Sequence, residues 1–229
     1  RAYIVERMPR YIHYPLFAYQ MLNNILHQIA HHVTVSLEDE GYYQTLPVTS
    51  TEQLAKVEIL KEGKEPQVRL TGIYSHRHTA VAAGIGEIGL NSLLLSPKFG
   101  SRIRVISIIT EAPLETDSPL KERLCQPERC GNACIKACPP KALRGDGTVD
   151  HYKCRLHRNK GYNMDYWKAL ASLTPFERIT GGGVGIRGSG LTCALCIKAC
   201  PIGWPYFWKG YPAENTDIKD KAVKIASLQ

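Results

Sequence analysis

The stretch CQPERCGNACIKACP, residues 125–139, and its counterpart CALCIKACP, residues 193–201, decide how this chain is read. The first spaces its cysteines as Cys125-x4-Cys130-x3-Cys134-x3-Cys138-Pro139, the second as Cys193-x2-Cys196-x3-Cys200-Pro201. Cys154, between the runs, completes the eight cysteines of the chain. Each run ends in Cys-Pro, the ending of a loop that binds an iron–sulfur cluster, where the last cysteine ligates the cluster held mainly by the other run. Two cubane clusters take eight thiolates, so the count closes with none spare.

That rule assigns Cys125, Cys130, Cys134 and Cys200 to one 4Fe–4S cluster. Cys138, Cys154, Cys193 and Cys196 form the second set, with Cys154 as the remote ligand. Short spacers let several sulfurs converge while loop amides point at them, and proline after the last cysteine turns the chain away without an N–H to satisfy. Disulfides suit a short secreted chain, whereas 229 residues bury a core without staples. Structural zinc prefers paired Cys-x2-Cys motifs to triplets ending in Cys-Pro.

With 44% hydrophobic and 22% charged residues the composition is that of a globular chain of one or two domains. No apolar run approaches the roughly 18 residues of a membrane span. The formal charge of +8 falls to about +4 if each oxidised cluster with its thiolates carries about −2. The basic residues are dispersed, which argues against nucleic acid as a partner and leaves an acidic redox partner or a phosphorylated substrate. The expected compartment is the cytoplasm. The chain begins at Arg1 without an initiator methionine, which leaves an export signal upstream open.

Residues 3–14 read as a surface segment or short strand. From Pro15 the pattern is helical, with Leu16, Tyr19, Leu22, Leu26, Ile29, Val33 and Leu37 at three- and four-residue steps and Gly41 as the stop. His27, His31 and His32 ride on this helix as a solvated face. Residues 42–48 and 68–74 read as strands, 50–65 as a polar loop with a helical turn, and 76–83 as a short helix. Residues 102–110, RIRVISIIT, read as a buried central strand. The acidic, proline-bearing residues 111–119 mark a boundary. Residues 141–143 begin a short helix, 145–147 turn, and 162–172 are helical. The aromatics of residues 204–208 cover a cluster or pack a core, and residues 217–228 form an amphipathic tail.

Two glycine motifs, Gly84-x-Gly86-x-x-Gly89 and Gly183-x-Gly185-x-x-Gly188, match the dinucleotide fingerprint as text. The fingerprint needs a strand before it and a long helix after it. The first instead follows a helical segment and stops at Ser96-Pro97, and the second runs into a cysteine loop. Glycine here offers close backbone approach to something flat or bulky.

Residues 83–102, AGIGEIGLNSLLLSPKFGSR, resemble the signature of the corrinoid iron–sulfur reductases, the group of reductive dehalogenases and epoxyqueuosine reductases of tRNA modification. Residues 108–117, IITEAPLETD, resemble the strand and acidic loop before their ferredoxin module. The order of signature, strand, first run, Cys154 and second run also matches, so the resemblance spans residues 15–208. It implies an α/β (α+β) chain. A nitroreductase-like core that binds cobalamin would occupy residues 1–118, and a ferredoxin-like module with two 4Fe–4S clusters residues 119–229.

The resemblance departs from the family pattern in named places. The first two gaps of the first run are longer than usual. Glu87 stands where epoxyqueuosine reductases tend to carry Trp and dehalogenases Glu. Leu70 stands at the proton-donating Asp of epoxyqueuosine reductases, and the helical-repeat tail that binds tRNA in longer members has no counterpart. The balance points to a reductive dehalogenase-like enzyme taking electrons from an external low-potential donor and cleaving a bond in a small, for example halogenated, substrate. An epoxyqueuosine reductase-like enzyme, an electron-transfer or activator protein for a corrinoid protein, and a corrinoid-binding module are the alternatives. On this reading Gly84, Gly86, Gly89 and Asn91 contact the corrinoid. Tyr74 is the proton donor, Arg77 lowers its pKa, and His76 and His78 are weaker candidates.

Overall fold

The helical pattern that starts at Pro15 yields α1 (Met21–Asp39). It closes as the sequence predicts: Gly41 takes a φ of 97°, its N–H donates to the Glu38 carbonyl at 2.9 Å, and that of Tyr42 donates to Leu37 at 2.9 Å. These two reversed bonds are a Schellman cap, which glycine makes without steric penalty. The computed structural model describes residues 19, 21–49, 56–62, 65–71, 74–158, 164–172 and 193–203. The segment 3–14, the second glycine motif, the aromatics of 204–208 and the tail of 217–228 lie outside the described residues.

The buried face of α1 is Asn23, Ala30 and Thr34, while Leu22, Ile25, Ile29 and Val33 are 40–51% exposed. Asn23 draws this face inward by accepting from Arg104 Nε at 2.9 Å, and Arg104 also stacks over Tyr19, 4.3 Å from the ring centre.

Among the described residues the strands form three two-stranded antiparallel sheets. In the first, β1 (Thr45–Val48) pairs with β6 (Ser107–Thr110), and the hydroxyls of Thr45 and Thr110 lie 2.9 Å apart. The expected central strand over 102–110 is therefore corrected. Only its last four residues are a strand, its sheet has two members, and Ile109 is 49% exposed. Residues 102–106 join no ladder, and the Arg102 and Arg104 side chains in this stretch bond the second cysteine run and Asn23.

The expected loop over 50–65 is corrected too. β2 (Lys56–Glu62) and β3 (Glu65–Thr71) make a hairpin in register from Lys56 opposite Thr71 to Glu62 opposite Glu65. Its lysines and glutamates hid the alternation of Val57 and Ile59.

α2 (His76–Ala82) leads into the signature, which folds back on itself as β4 (Glu87–Ile88) against β5 (Leu94–Leu95). α3 (Pro127–Cys130) and α4 (Ala133–Lys136) carry the first cysteine run. α5 (His151–Arg158) carries Cys154, α6 (Met164–Ser172) follows, and α7 (Leu195–Ala199) carries the second run. No helix forms over 141–143. Residues 143 and 149 bridge instead around a turn with Gly145 and Gly147 at φ of 91° and 88°, where Asp146 accepts from the Thr148 amide and hydroxyl. Among the described residues no helix is long and apolar enough to cross a membrane. The chain thus mixes short helices and small antiparallel sheets around the cysteine loops.

Candidate metal centre

None of the eight cysteines forms a disulfide. Cys125, Cys130, Cys134 and Cys200 line one cavity of about 310 Å³, counting its open mouth, together with Leu90, Asn91, Leu95, Gln126, Pro201 and Ile202. These are the four cysteines that the crossed rule groups. Electrostatics gives the same partition. Burial pushes Cys134 up to about 12, helped by the neighbouring charges of Cys200, Cys130 and Cys125. Burial likewise raises Cys154, Cys193 and Cys196, which feel one another and Cys138. Cys196 also feels Cys134, so the quartets stand side by side. Four buried or half-buried thiols that repel as anions have the chemistry of donors to a cationic centre, which would reverse that penalty by binding them as thiolates. Among the described residues no three metal-binding side chains close on a single ion. A cubane asks for wider spacing, with one thiolate on each iron.

The pairing of loops has a source the sequence reading missed. Both runs contain Cys-Ile-Lys-Ala-Cys-Pro, at residues 134–139 and 196–201. α4 and α7 are thus two copies of one helix, and they pack through Ala133, Ala137 and Ala199. Each copy gives its first cysteine to one quartet and its last to the other. Small alanines at the contact let the copies approach closely, which makes the exchange geometrically possible.

The longer gaps of the first run are accommodated by Gly131 and Asn132, consecutive left-handed residues with φ of 61° and 60°. They reverse the chain between α3 and α4 and return Cys130 and Cys134 to the same cavity. Backbone amides point at the sulfurs: Leu90 N–H donates to Cys125 Sγ at 3.5 Å and Ala142 N–H to Cys138 Sγ at 3.3 Å. Glu87, at the position that separates the two resembling families, accepts the backbone N–H of Cys125. Arg102 reaches the second run, donating to the carbonyls of Cys200 and Ile202 at 2.8 and 2.9 Å.

Of the residues expected around a corrinoid, the three glycines leave no room for a side chain. A Cβ on Gly84 would overlap the Ser118 carbonyl, one on Gly86 the Leu95 carbonyl, and one on Gly89 the Leu95 side chain. The close approach these glycines allow on their Cβ side is to the chain's own atoms. Asn91 is 4% exposed and lines the cavity of the first quartet.

Arg77 donates to the Ser92 carbonyl, pinning the signature turn. Tyr74 packs edge-on against His76, with ring centres 5.3 Å apart. His76 bonds Thr49 O through Nε2 and Ser107 Oγ through Nδ1, both at 2.8 Å, which ties α2 to the first sheet. His78 Nδ1 meets Ser75 Oγ at 2.5 Å. His151 is a group the sequence did not single out. Burial, then Arg155 and Arg77, hold its pKa down to about 4, so it is neutral beside the second quartet's helix. Only its position three residues before Cys154 could have flagged it.

No family model matches the chain. It is 33% identical over 166 residues to the epoxyqueuosine reductase of Staphylococcus aureus, covering 69% of this chain and 37% of that protein. Over 110 residues it is 36% identical to the Listeria monocytogenes epoxyqueuosine reductase, 45% of this chain and 27% of that one. It is 41% identical over 153 residues to the tetrachloroethene reductive dehalogenase of Dehalobacter restrictus, 66% of this chain and 25% of that one. The chain therefore spans between a quarter and two fifths of these relatives. Among solved structures it is similar to epoxyqueuosine reductase from Streptococcus thermophilus, at 21% identity and a TM-score of 0.48 over 79% of this chain and 39% of that one. It is also similar to an epoxyqueuosine reductase solved with an epoxyqueuosine-modified tRNA stem loop, at 23% identity and a TM-score of 0.48 over 79% of this chain and 38% of that one.

Proposed function

We propose, from the premise that this chain is homologous to epoxyqueuosine reductases and reductive dehalogenases, that it is the electron-delivering part of an iron–sulfur reductase. One 4Fe–4S cluster would be held by Cys125, Cys130, Cys134 and Cys200, the other by Cys138, Cys154, Cys193 and Cys196. The observation that carries this reading is one cavity lined by Cys125, Cys130 and Cys134 of the first run and by Cys200 of the second, 66 residues beyond Cys134. When bound, such clusters supply one-electron transfer at low potential. The chain's own residues do the rest. Glu87 and Arg102 fix the two ligand loops, Leu90 and Ala142 donate to sulfur, and Leu95 and Ile202 keep water from the first quartet.

The terminal acceptor is a cobalamin in the family this chain resembles. Gly84, Gly86, Gly89 and Asn91 are the proposed corrinoid contacts, and the proposed path from this chain's thiols ends at the clusters. Residues 1–118 are the proposed core and 119–229 the proposed cluster module. Tyr74 is the proposed proton donor and Arg77 the proposed charge that lowers its pKa, while Arg77 also donates to the Ser92 carbonyl of the signature turn.

For the substrate, we favour epoxyqueuosine in tRNA, because six of eight similar curated proteins carry the name epoxyqueuosine reductase, at 28–36% identity. The expectation against nucleic acid is withdrawn. Dispersed charge rules out only a basic track along a duplex, whereas a modified base in a stem loop is recognised by shape and stacking. A second reading, reduction of a small halogenated substrate, is favoured by the 41% identity to tetrachloroethene reductive dehalogenase and by Glu87.

Iron, sulfide and cobalt content of anaerobically purified protein tests the first claim. About eight iron atoms are expected, and disulfides or zinc overturn the reading. Turnover with a reduced donor on epoxyqueuosine-containing tRNA and on chlorinated ethenes then separates the two substrates. Activity on neither, with clusters present, identifies a carrier or activator.

A further inference from the structure

Asn91 sits in the turn of the signature, and its surroundings determine which way its amide points. The Leu93 N–H donates to Asn91 Oδ1 at 3.2 Å, so that atom is the oxygen and the other is the NH2 group. Nδ2 is buried and has no hydrogen-bond partner among the described residues. Leaving such a donor unmet costs about 1–3 kcal/mol. The residue is 4% exposed and lines the cavity of Cys125, Cys130, Cys134 and Cys200. The amide next to it, Leu90 N–H, already donates to Cys125 Sγ at 3.5 Å. The turn is held rigid: Gly89 N–H bonds Leu93 O at 2.9 Å, Ser92 N–H bonds Gly89 O at 2.8 Å, Ser92 takes a φ of 58°, and Arg77 holds the Ser92 carbonyl. The chain thus positions one buried, unspent donor at the wall of a sulfur-lined cavity.

We propose that Asn91 Nδ2 donates a hydrogen bond to a sulfur of the cluster held by Cys125, Cys130, Cys134 and Cys200, and so raises that cluster's reduction potential. This rests on the cluster reading above. One-electron reduction by the external donor adds one negative charge to the cluster. No covalent bond forms or breaks, and an N–H aimed at sulfur favours the reduced form. Asn91 is a positioning and tuning residue, not a catalytic one.

The test is an EPR-monitored redox titration of the full protein and of Asn91→Leu, which keeps the branched shape and heavy-atom count and removes the Nδ2 donor together with the Oδ1 acceptor of Leu93 N–H. One of the two potentials should become more negative and the other stay in place, with iron and sulfide content unchanged. Unshifted potentials with both clusters present overturn the proposal and leave the cluster reading standing, whereas protein without iron and sulfide overturns the cluster reading itself. Should Asn91→Leu lose its cluster, pulsed EPR of the wild-type protein decides. Side-chain 15N-labelled asparagine should show nitrogen coupling to the reduced cluster, and absence of coupling overturns the proposal.

Discussion

The guanidinium of Arg102 donates to the carbonyl of Cys200 at 2.8 Å across 98 residues of chain. It also donates to Ile202 O at 2.9 Å and Lys198 O at 3.4 Å, so one side chain clamps the C-terminal end of the second cysteine loop to the end of the signature. Charged hydrogen bonds of this kind are worth roughly 1.5–3 kcal/mol each. Arg102→Ala should lower the melting temperature and release iron from the quartet containing Cys200 before the other. Arg102→Lys, with one ammonium for a planar fork, should retain part of the effect. Melting curves with iron quantification check both.

The crossed quartets make a non-additive prediction. Cys125→Ser and Cys200→Ser should each leave about four irons, and the double variant should lose no more, because both residues serve one cluster. Combining Cys125→Ser with Cys193→Ser should leave neither cluster. Iron content and EPR of the reduced proteins distinguish this from a sequential assignment, in which Cys200 would pair with Cys193.

Two glycines predict different costs for the same substitution. Gly86→Ala drives a methyl into the Leu95 carbonyl, backbone against backbone, and should destabilise by more than about 4 kcal/mol or abolish folding. Gly41→Ala meets nothing within 4 Å and strains only its φ of 97°, for about 1–2 kcal/mol. Chemical denaturation of the two variants checks the contrast.

Glu87 places a carboxylate on the Cys125 amide, where its charge favours the oxidised cluster. Glu87→Gln keeps an acceptor and removes the charge. The potential of the Cys125 quartet's cluster should therefore rise, opposite in sign to Asn91→Leu, and the same redox titration reads it.

His151 gives a pH dependence. Its folded pKa, about 4, lies below the usual 6.5, so the unfolded chain binds the proton first as pH falls. Its contribution to stability is present above 6.5 and is lost as pH falls from there toward 4. His151→Gln should flatten that part of the melting-temperature profile between pH 7 and pH 4.5, measured against wild type.

How far the sequence could be read depends on the range of the physics involved. Cap chemistry is local, and the Schellman turn at Gly41 was legible from one glycine after an acidic helix end. Periodicity located α1 but not its inward face, because Arg104, 81 residues away from Asn23, turns a polar stripe toward the core. Charged residues masked the β2–β3 hairpin. Residues 102–110 read as a buried strand because hydropathy cannot reveal that Arg102 and Arg104 are committed elsewhere.

The cysteine spacing by itself pointed to the proposed donor set and its division into two quartets, and the structure brings Cys125, Cys130, Cys134 and Cys200 to one cavity. Only the tertiary structure decided what the glycine signature is for. It brings Glu87, Leu90 and Asn91 against Cys125 and its partners, and packs the glycines against the chain's own carbonyls. Glycine records that something approaches closely, and what approaches is set by contacts between segments far apart in the chain.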